Sequence, residues 1–145
     1  MGYGGLLPFL ALAVQCAIDP ASGGLWRSIL LGYGAVILSF VGALHWAFAM
    51  TLPELTDAKR TECYVWSVVP ALIGWVAASI PIGLMWQWPQ KTTLLESALM
   101  IVAFLVHYQQ DRRLTRVVSL PAWYLPLRLR LTFVAALCLA VGGWG

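Results

Sequence analysis

The stretch from Trp26 to Met50 limits what this chain can become more than any other feature. Only Arg27 at its start and His45 near its end are ionisable. A membrane-spanning helix takes about 20 predominantly apolar residues, and this stretch exceeds that length. Composition extends the argument to the whole chain: 61% of its 145 residues are apolar and 10% are charged, against about 25% charged in a soluble domain. So few polar side chains cannot cover an outer surface in water, and the outside is expected to face lipid. Of the eight tryptophans, Trp26, Trp46, Trp86, Trp88, Trp123 and Trp144 lie near the ends of apolar runs. That position suits an indole, whose ring is apolar and whose N–H seeks a partner at the headgroup level.

Four further runs complete the pattern. The first, about Gly4 to Ile18, has Pro8 in its opening turns, where a missing N–H does least harm, and stops at the turn cluster Asp19 to Gly24. A polar connector, Thr51 to Cys63, precedes the third run, Tyr64 to Ile80, which Pro81 is expected to interrupt. Ile82 to Trp88 reads either as the end of that helix or as an interfacial segment. The fourth run, Thr92 to Tyr108, carries Glu96 near its start and His107 near its end. A basic connector, Gln109 to about Arg130, leads to the last run, Leu131 to Trp144. Extended back to Pro126, a good first-turn residue, that run reaches spanning length, with Arg128 and Arg130 snorkelling to headgroups. The expected fold is an all-α integral membrane protein, residues 1–145 forming a single bundle of about five transmembrane helices.

Charge gives this arrangement a direction. If the runs alternate across the bilayer, the connectors around 51–63 and 109–130 share one side. They hold Lys59, Arg60, Arg112, Arg113, Arg116, Arg128 and Arg130, seven of the nine basic residues, leaving Arg27 and Lys91 on the other side. Short loops rich in Lys and Arg stay in the cytoplasm, so the N-terminus is expected to be cytoplasmic and the C-terminus periplasmic. The opening residues, Met1 to Gly5, lack the positive region of a signal peptide and the Arg-rich look of a transit peptide. The expected location is therefore a bacterial inner membrane.

Helices in lipid pair through close packing and hydrogen bonds, because lipid tails are as apolar as leucine. Ala35, Ser39, Ala43 and Ala47 recur every fourth residue in the second run, and Gly32, Gly34 and Gly42 thin it further. This stripe is the expected helix-packing seam, with Ala71, Gly74 and Ala78 as its counterpart in the third run and Pro70 as a kink.

Ionisable groups inside a membrane are costly and invite a functional reading. His45 and His107 fall at similar depth. The plainest expectation is two interfacial histidines hydrogen-bonded to a backbone carbonyl or to water, and the functional ones are a quinone headgroup and, as a weaker fit, haem ligation. Gly42 would leave a notch beside the His45 ring and Trp46 an indole at the same level, so Gly42, His45, Trp46 and His107 form the candidate ligand site for a quinone or lipid. Arg112, Arg113, Trp123 and Arg128 are candidates for an anionic lipid headgroup. Glu96 is expected to face outer headgroups or water, or else to accept a hydrogen bond inside the bundle or relay protons, and Arg27 could pair with it across the outer face. Cys16, Cys63 and Cys138 show no CxxC spacing, so neither a disulfide framework nor a metal site is expected. No nucleotide-binding, hydrolase or metalloprotease motif occurs, and the basic residues are too few for nucleic acid.

The segment Tyr33 to Trp46, with the blocks Trp66-Ser67-Val68-Val69-Pro70, Asp111-Arg112-Arg113-Leu114, Pro121-Ala122-Trp123-Tyr124-Leu125 and Leu127-Arg128, resembles the transmembrane-protein-69-like family, a domain of unknown function. The blocks touch four of the five runs or their flanks. The resemblance implies a small multi-pass protein of bacterial inner membranes and, in eukaryotes, mitochondria, and it supplies no activity or catalytic residue.

The expected role is a non-catalytic accessory or assembly component of a larger membrane complex, with the lipid bilayer and other membrane subunits as partners. The alternatives are a quinone-, lipid- or haem-binding redox membrane protein using His45 and His107, and a small-solute transporter. The lack of a visible internal repeat argues against the last.

Overall fold

The computed structural model describes residues 2–84 and 89–144, with side chains at 3–79 and 94–143. The described residues form five α-helices: α1 (Leu7–Ile18, led in by a 3-10 helix over Gly2–Leu6), α2 (Gly23–Thr51), α3 (Asp57–Leu84), α4 (Pro89–Leu114) and α5 (Tyr124–Trp144). Three stretches, Pro20–Thr51, Asp57–Ser79 and Tyr124–Gly143, are long and apolar enough to cross a membrane, whereas Tyr3–Ile18 is apolar but shorter.

Local chemistry sets the boundaries. Pro8 occupies the first turn of α1, where its absent N–H has no helical partner to lose. Asp19 accepts hydrogen bonds from Trp26 Nε1 at 3.1 Å and from the Ser22 backbone at 3.2 Å. These bonds hold its carboxyl below the usual carboxylate range and cap the short 3-10 turn Pro20–Ser22 that reverses the chain into α2. Leu52, which precedes Pro53, is extended, as a residue before proline tends to be, so α2 stops at Thr51.

Three boundaries differ from the hydropathy reading. α3 starts at Asp57 rather than near Tyr64, so most of the expected polar connector is helix. Its first turns are polar because they clasp the end of α2: Arg60 Nη1 donates to the Ala49 carbonyl at 2.7 Å and Arg60 Nη2 to the Leu55 carbonyl at 3.3 Å. A cation on the last carbonyls of a helix also complements its dipole. α3 continues through Pro81, so Ile82 to Leu84 belong to it, and residues 85–88 lie outside the described residues. α4 runs on past Tyr108 to Leu114.

α2 touches every other helix and forms the centre of the bundle. Phe9, Leu30, Leu38, Met100 and Leu139 fill the core and are almost wholly buried. α2 and α3 pack closely. A Cβ added at Gly42 would lie 2.9 Å from the Pro70 ring, and one at Gly74 would lie 3.2 Å from Ala35 Cβ. Ala35 thus lies in this seam and Ser39 is half-buried beside it, while Ala43 and Ala47 are exposed. The latter two line a shallow outward groove with Trp46, Ser67 and Ala71. Val36, Phe40, Leu72, Trp75, Leu105 and Phe133 are exposed on the periphery, the arrangement expected of a lipid-facing surface.

Candidate functional site

At the end of the bundle that carries the α2–α3 and α4–α5 connectors, four helices turn polar side chains inward. α2 supplies His45, α3 supplies Trp66, α4 supplies His107 and Asp111, and α5 supplies Tyr124 and Arg128. The pairs His107/Asp111 and Tyr124/Arg128 are each four residues apart, which puts both members on one helix face. His45, His107 and Asp111 are 0% exposed, and Arg128 is 5% exposed.

Asp111 is the hub. Its Oδ2 accepts from Arg128 Nε at 2.7 Å, and its Oδ1 accepts from the Tyr124 hydroxyl at 3.1 Å. A buried carboxylate needs such partners, because an uncompensated charge at this depth would cost several kcal/mol. His45 Nε2 and His107 Nε2 approach the same Oδ1 at 3.7 and 3.9 Å, beyond hydrogen-bond length. The two imidazoles meet edge to face with centroids 5.1 Å apart.

Trp66 fixes the state of His107. Its indole lies nearly coplanar with the imidazole, at 6°, and its N–H donates to His107 Nδ1 at 3.0 Å. A neutral imidazole that accepts at Nδ1 carries its proton on the other nitrogen, so the proton lies on Nε2, 3.9 Å from Asp111 Oδ1. His45 has no such anchor: neither of its buried ring nitrogens has a hydrogen-bond partner.

Above this layer the cluster is covered. Gln110 Nε2 donates to Glu62 Oε1 at 2.6 Å, and Lys59 pairs with Glu62 Oε2 at 2.6 Å. An apolar plug of Ala49, Leu55, Cys63, Leu114 and Val118 lies at the same end. To the side, α2 and α5 enclose an apolar cleft of about 640 Å³, lined by Val41, Leu44 and Phe48 of α2 and by Leu127, Leu131 and Ala135 of α5. Gly5, Leu6 and Phe9 before and within α1, and Leu120, Pro121 and Trp123 of the connector, complete its walls. Arg128 and Tyr124 bring the polar cluster to the cleft surface, and Arg128 Nη2 is buried without a hydrogen-bond partner.

His45, His107 and Asp111 place three potential ligand atoms within 4.8 Å of one another. The donor chemistry does not fit a cation. The His107 nitrogen on that side holds a proton, and Asp111 already neutralises Arg128. The edge-to-face contact of the two histidines likewise leaves no slot for a porphyrin between them.

The other expected site residues fall elsewhere. The notch at Gly42 is filled by Pro70. Trp46 is 51% exposed, with its N–H on Met50 Sδ at 3.0 Å, on the outer surface of α2. His45 and His107 are therefore together, and Gly42 and Trp46 are not with them. Arg112, Arg113 and Trp123 are exposed. Arg128 turns inward to Asp111 instead of snorkelling, while Arg130 reaches the Tyr3 hydroxyl at 3.1 Å on the surface. Glu96 is 2% exposed and faces the bundle rather than headgroups. No ion pair joins it to Arg27 among the described residues.

Residues 1–143 match the family described as Protein of unknown function (DUF3429). The chain belongs to this family. It is also similar to Transmembrane protein 69 from Xenopus tropicalis, with 29% identity over 143 residues, which is 96% of this chain and 50% of that protein. The chain thus spans about half the length of that relative. No solved structure matches it.

Sequence reasoning missed Asp111, Tyr124 and Trp66 as members of one site. A signal for them was present. Asp111, Tyr124, Arg128 and Trp66 all fall within the blocks that carry the family resemblance, although three of the four look like ordinary interfacial residues when each is taken alone.

Proposed function

We propose that this DUF3429 protein holds one amphiphile in the α2–α5 cleft, with the polar headgroup on the Arg128 guanidinium and the chain along Leu44, Leu131 and Ala135. The observation that carries this reading is the buried, partly unpartnered guanidinium on the wall of an otherwise apolar cleft. Buried polar groups in native proteins are almost always hydrogen-bonded, and an Arg offers five donors, of which those on Nη2 have no protein partner among the described residues. An acceptor-bearing headgroup would satisfy the remainder. The cleft volume falls in the range of small-molecule sites, about 300–1,000 Å³.

The proposed setting is a bacterial inner membrane, with the basic end in the cytoplasm and the C-terminus on the periplasmic side. Seven of the nine basic residues lie in or flanking the α2–α3 and α4–α5 links, and this bias supports that orientation.

The test is mass spectrometry of amphiphiles that co-purify with the protein in a mild maltoside detergent. Wild type should retain a stoichiometric amphiphile. Leu44→Trp, which fills the cleft without touching the Asp111–Arg128 pair, should lose it while melting normally. Equal retention by the two proteins would sink the proposal.

A second reading, an accessory subunit of a larger complex, draws support from the outward groove of Ala43, Ala47 and Ala71, whose small side chains suit another helix. Partner subunits that co-purify with wild type and are lost with Ala43→Phe would favour it.

A further inference from the structure

We infer that the cleft ligand is an anionic amphiphile and that seating its headgroup on Arg128 draws a proton onto His45. This rests on the amphiphile reading above and adds the headgroup's charge and the group that compensates it.

The argument begins with the charges of the cluster. Arg128 and Asp111 cancel each other across 2.7 Å. An anion that takes the free edge of the guanidinium competes with Asp111 for it and leaves the buried site one negative charge in excess. Excess charge in a membrane interior is relieved by a counter-charge close by. The groups that face His45 are Glu62 from α3, His107 and Asp111 from α4, and Tyr124 and Arg128 from α5. Lys59 is already paired with Glu62 on the surface side.

Of the two imidazoles, only one is free to take the proton. His107 Nδ1 is occupied by the Trp66 N–H, so protonating that ring means breaking this bond. His45 has both nitrogens unpartnered, and its Nε2 is 3.7 Å from Asp111 Oδ1. A small movement of Asp111 away from Arg128 would bring it onto a protonated His45. The ion pair then passes from Asp111–Arg128 to Asp111–His45, with Arg128 left to the ligand. No bond other than N–H is made, and the proton comes from the bulk solution, where the conjugate acid of the buffer gives it up.

The experiment is calorimetric titration of the detergent-solubilised full chain with lysophosphatidylglycerol, whose phosphodiester keeps its charge across the titration range of histidine. Repeating it in buffers of different ionisation enthalpy counts protons. Wild type should take up about one proton per headgroup on the alkaline side of that range, with affinity falling about tenfold per pH unit there. His45→Gln should still bind, without proton uptake and without the pH slope, and His107→Gln should keep both. An uncharged monoacylglycerol should bind wild type with no proton uptake. Palmitate, titrated where its carboxylate is ionised, distinguishes a fatty-acid source of the anion from a phospholipid one, since the physiological class should show the lower Kd. Binding of both lysophosphatidylglycerol and monoacylglycerol without proton uptake would overturn this inference and leave the cleft standing. Proton uptake retained in His45→Gln would overturn the assignment to His45. Binding of neither would overturn the cleft and the coupling together.

Discussion

Arg128 Nε donates to Asp111 Oδ2 at 2.7 Å, and the two side chains are 6% and 0% exposed. Removing one partner of a buried pair strands the other, at a cost of about 3–5 kcal/mol. Arg128→Met should therefore lower the melting temperature in detergent sharply. Asp111→Asn combined with Arg128→Met, which leaves no buried charge, should recover much of the loss. A double variant as unstable as the sum of the two singles would show that the residues do not act as a pair.

The bond from Trp66 to His107 makes a prediction about a single proton. Nitrogen-15 NMR of the histidine rings should find His107 protonated at Nε2 in wild type. Trp66→Phe keeps an aromatic ring and removes the donor, so the tautomer should become mixed, with a stability loss of about 1 kcal/mol, the usual worth of one hydrogen bond. A wild-type ring protonated at Nδ1 would contradict the geometry.

Close packing between α2 and α3 is tested at Gly42. Gly42→Ala puts a methyl group 2.9 Å from the Pro70 ring, and such overpacking costs about 1–3 kcal/mol. Ala43→Leu, one residue on, points outward and should be nearly neutral in a thermal melt of the isolated protein. The opposite ranking would mean that the seam runs along the other face of α2.

The contrast between these two positions shows what the sequence can carry. Where the apolar runs lie was legible, because burying backbone in lipid requires long apolar helices. Which face of a run points inward was not. Ala35, Ser39, Ala43 and Ala47 share a spacing, but only a neighbour such as Pro70 decides which part of the face becomes interior. The early start of α3 at Asp57 was hidden for a related reason, since Arg60 and Glu62 look like loop residues until Ala49 and Gln110 are seen to hold them. In the site, the two histidines were legible as costly groups in apolar runs. Asp111 was masked by the arginines that follow it, and Arg128 by the general rule that arginines near helix ends snorkel. Its partner lies 17 residues away, a distance that no helical period encodes.

The proposed topology is open to a direct check. A reporter active only in the periplasm should give signal when fused after Gly145 and none when inserted between Thr115 and Ala122. The inverse pattern would place the basic connectors, and with them the His45 cluster, on the periplasmic side.

Asp111 and Arg128 belong to consecutive helices, α4 and α5, joined by the short link of residues 115–123. Their mutual neutralisation needs nothing from the rest of the bundle. During biogenesis this hairpin can cancel its own internal charge at the membrane surface, before it meets α2. The residues it meets there, His45 among them, need bring no charge of their own. Docking of the hairpin onto α2 then brings Asp111 and Arg128 into the bundle as a neutral pair, and neither enters hydrocarbon as a lone ion.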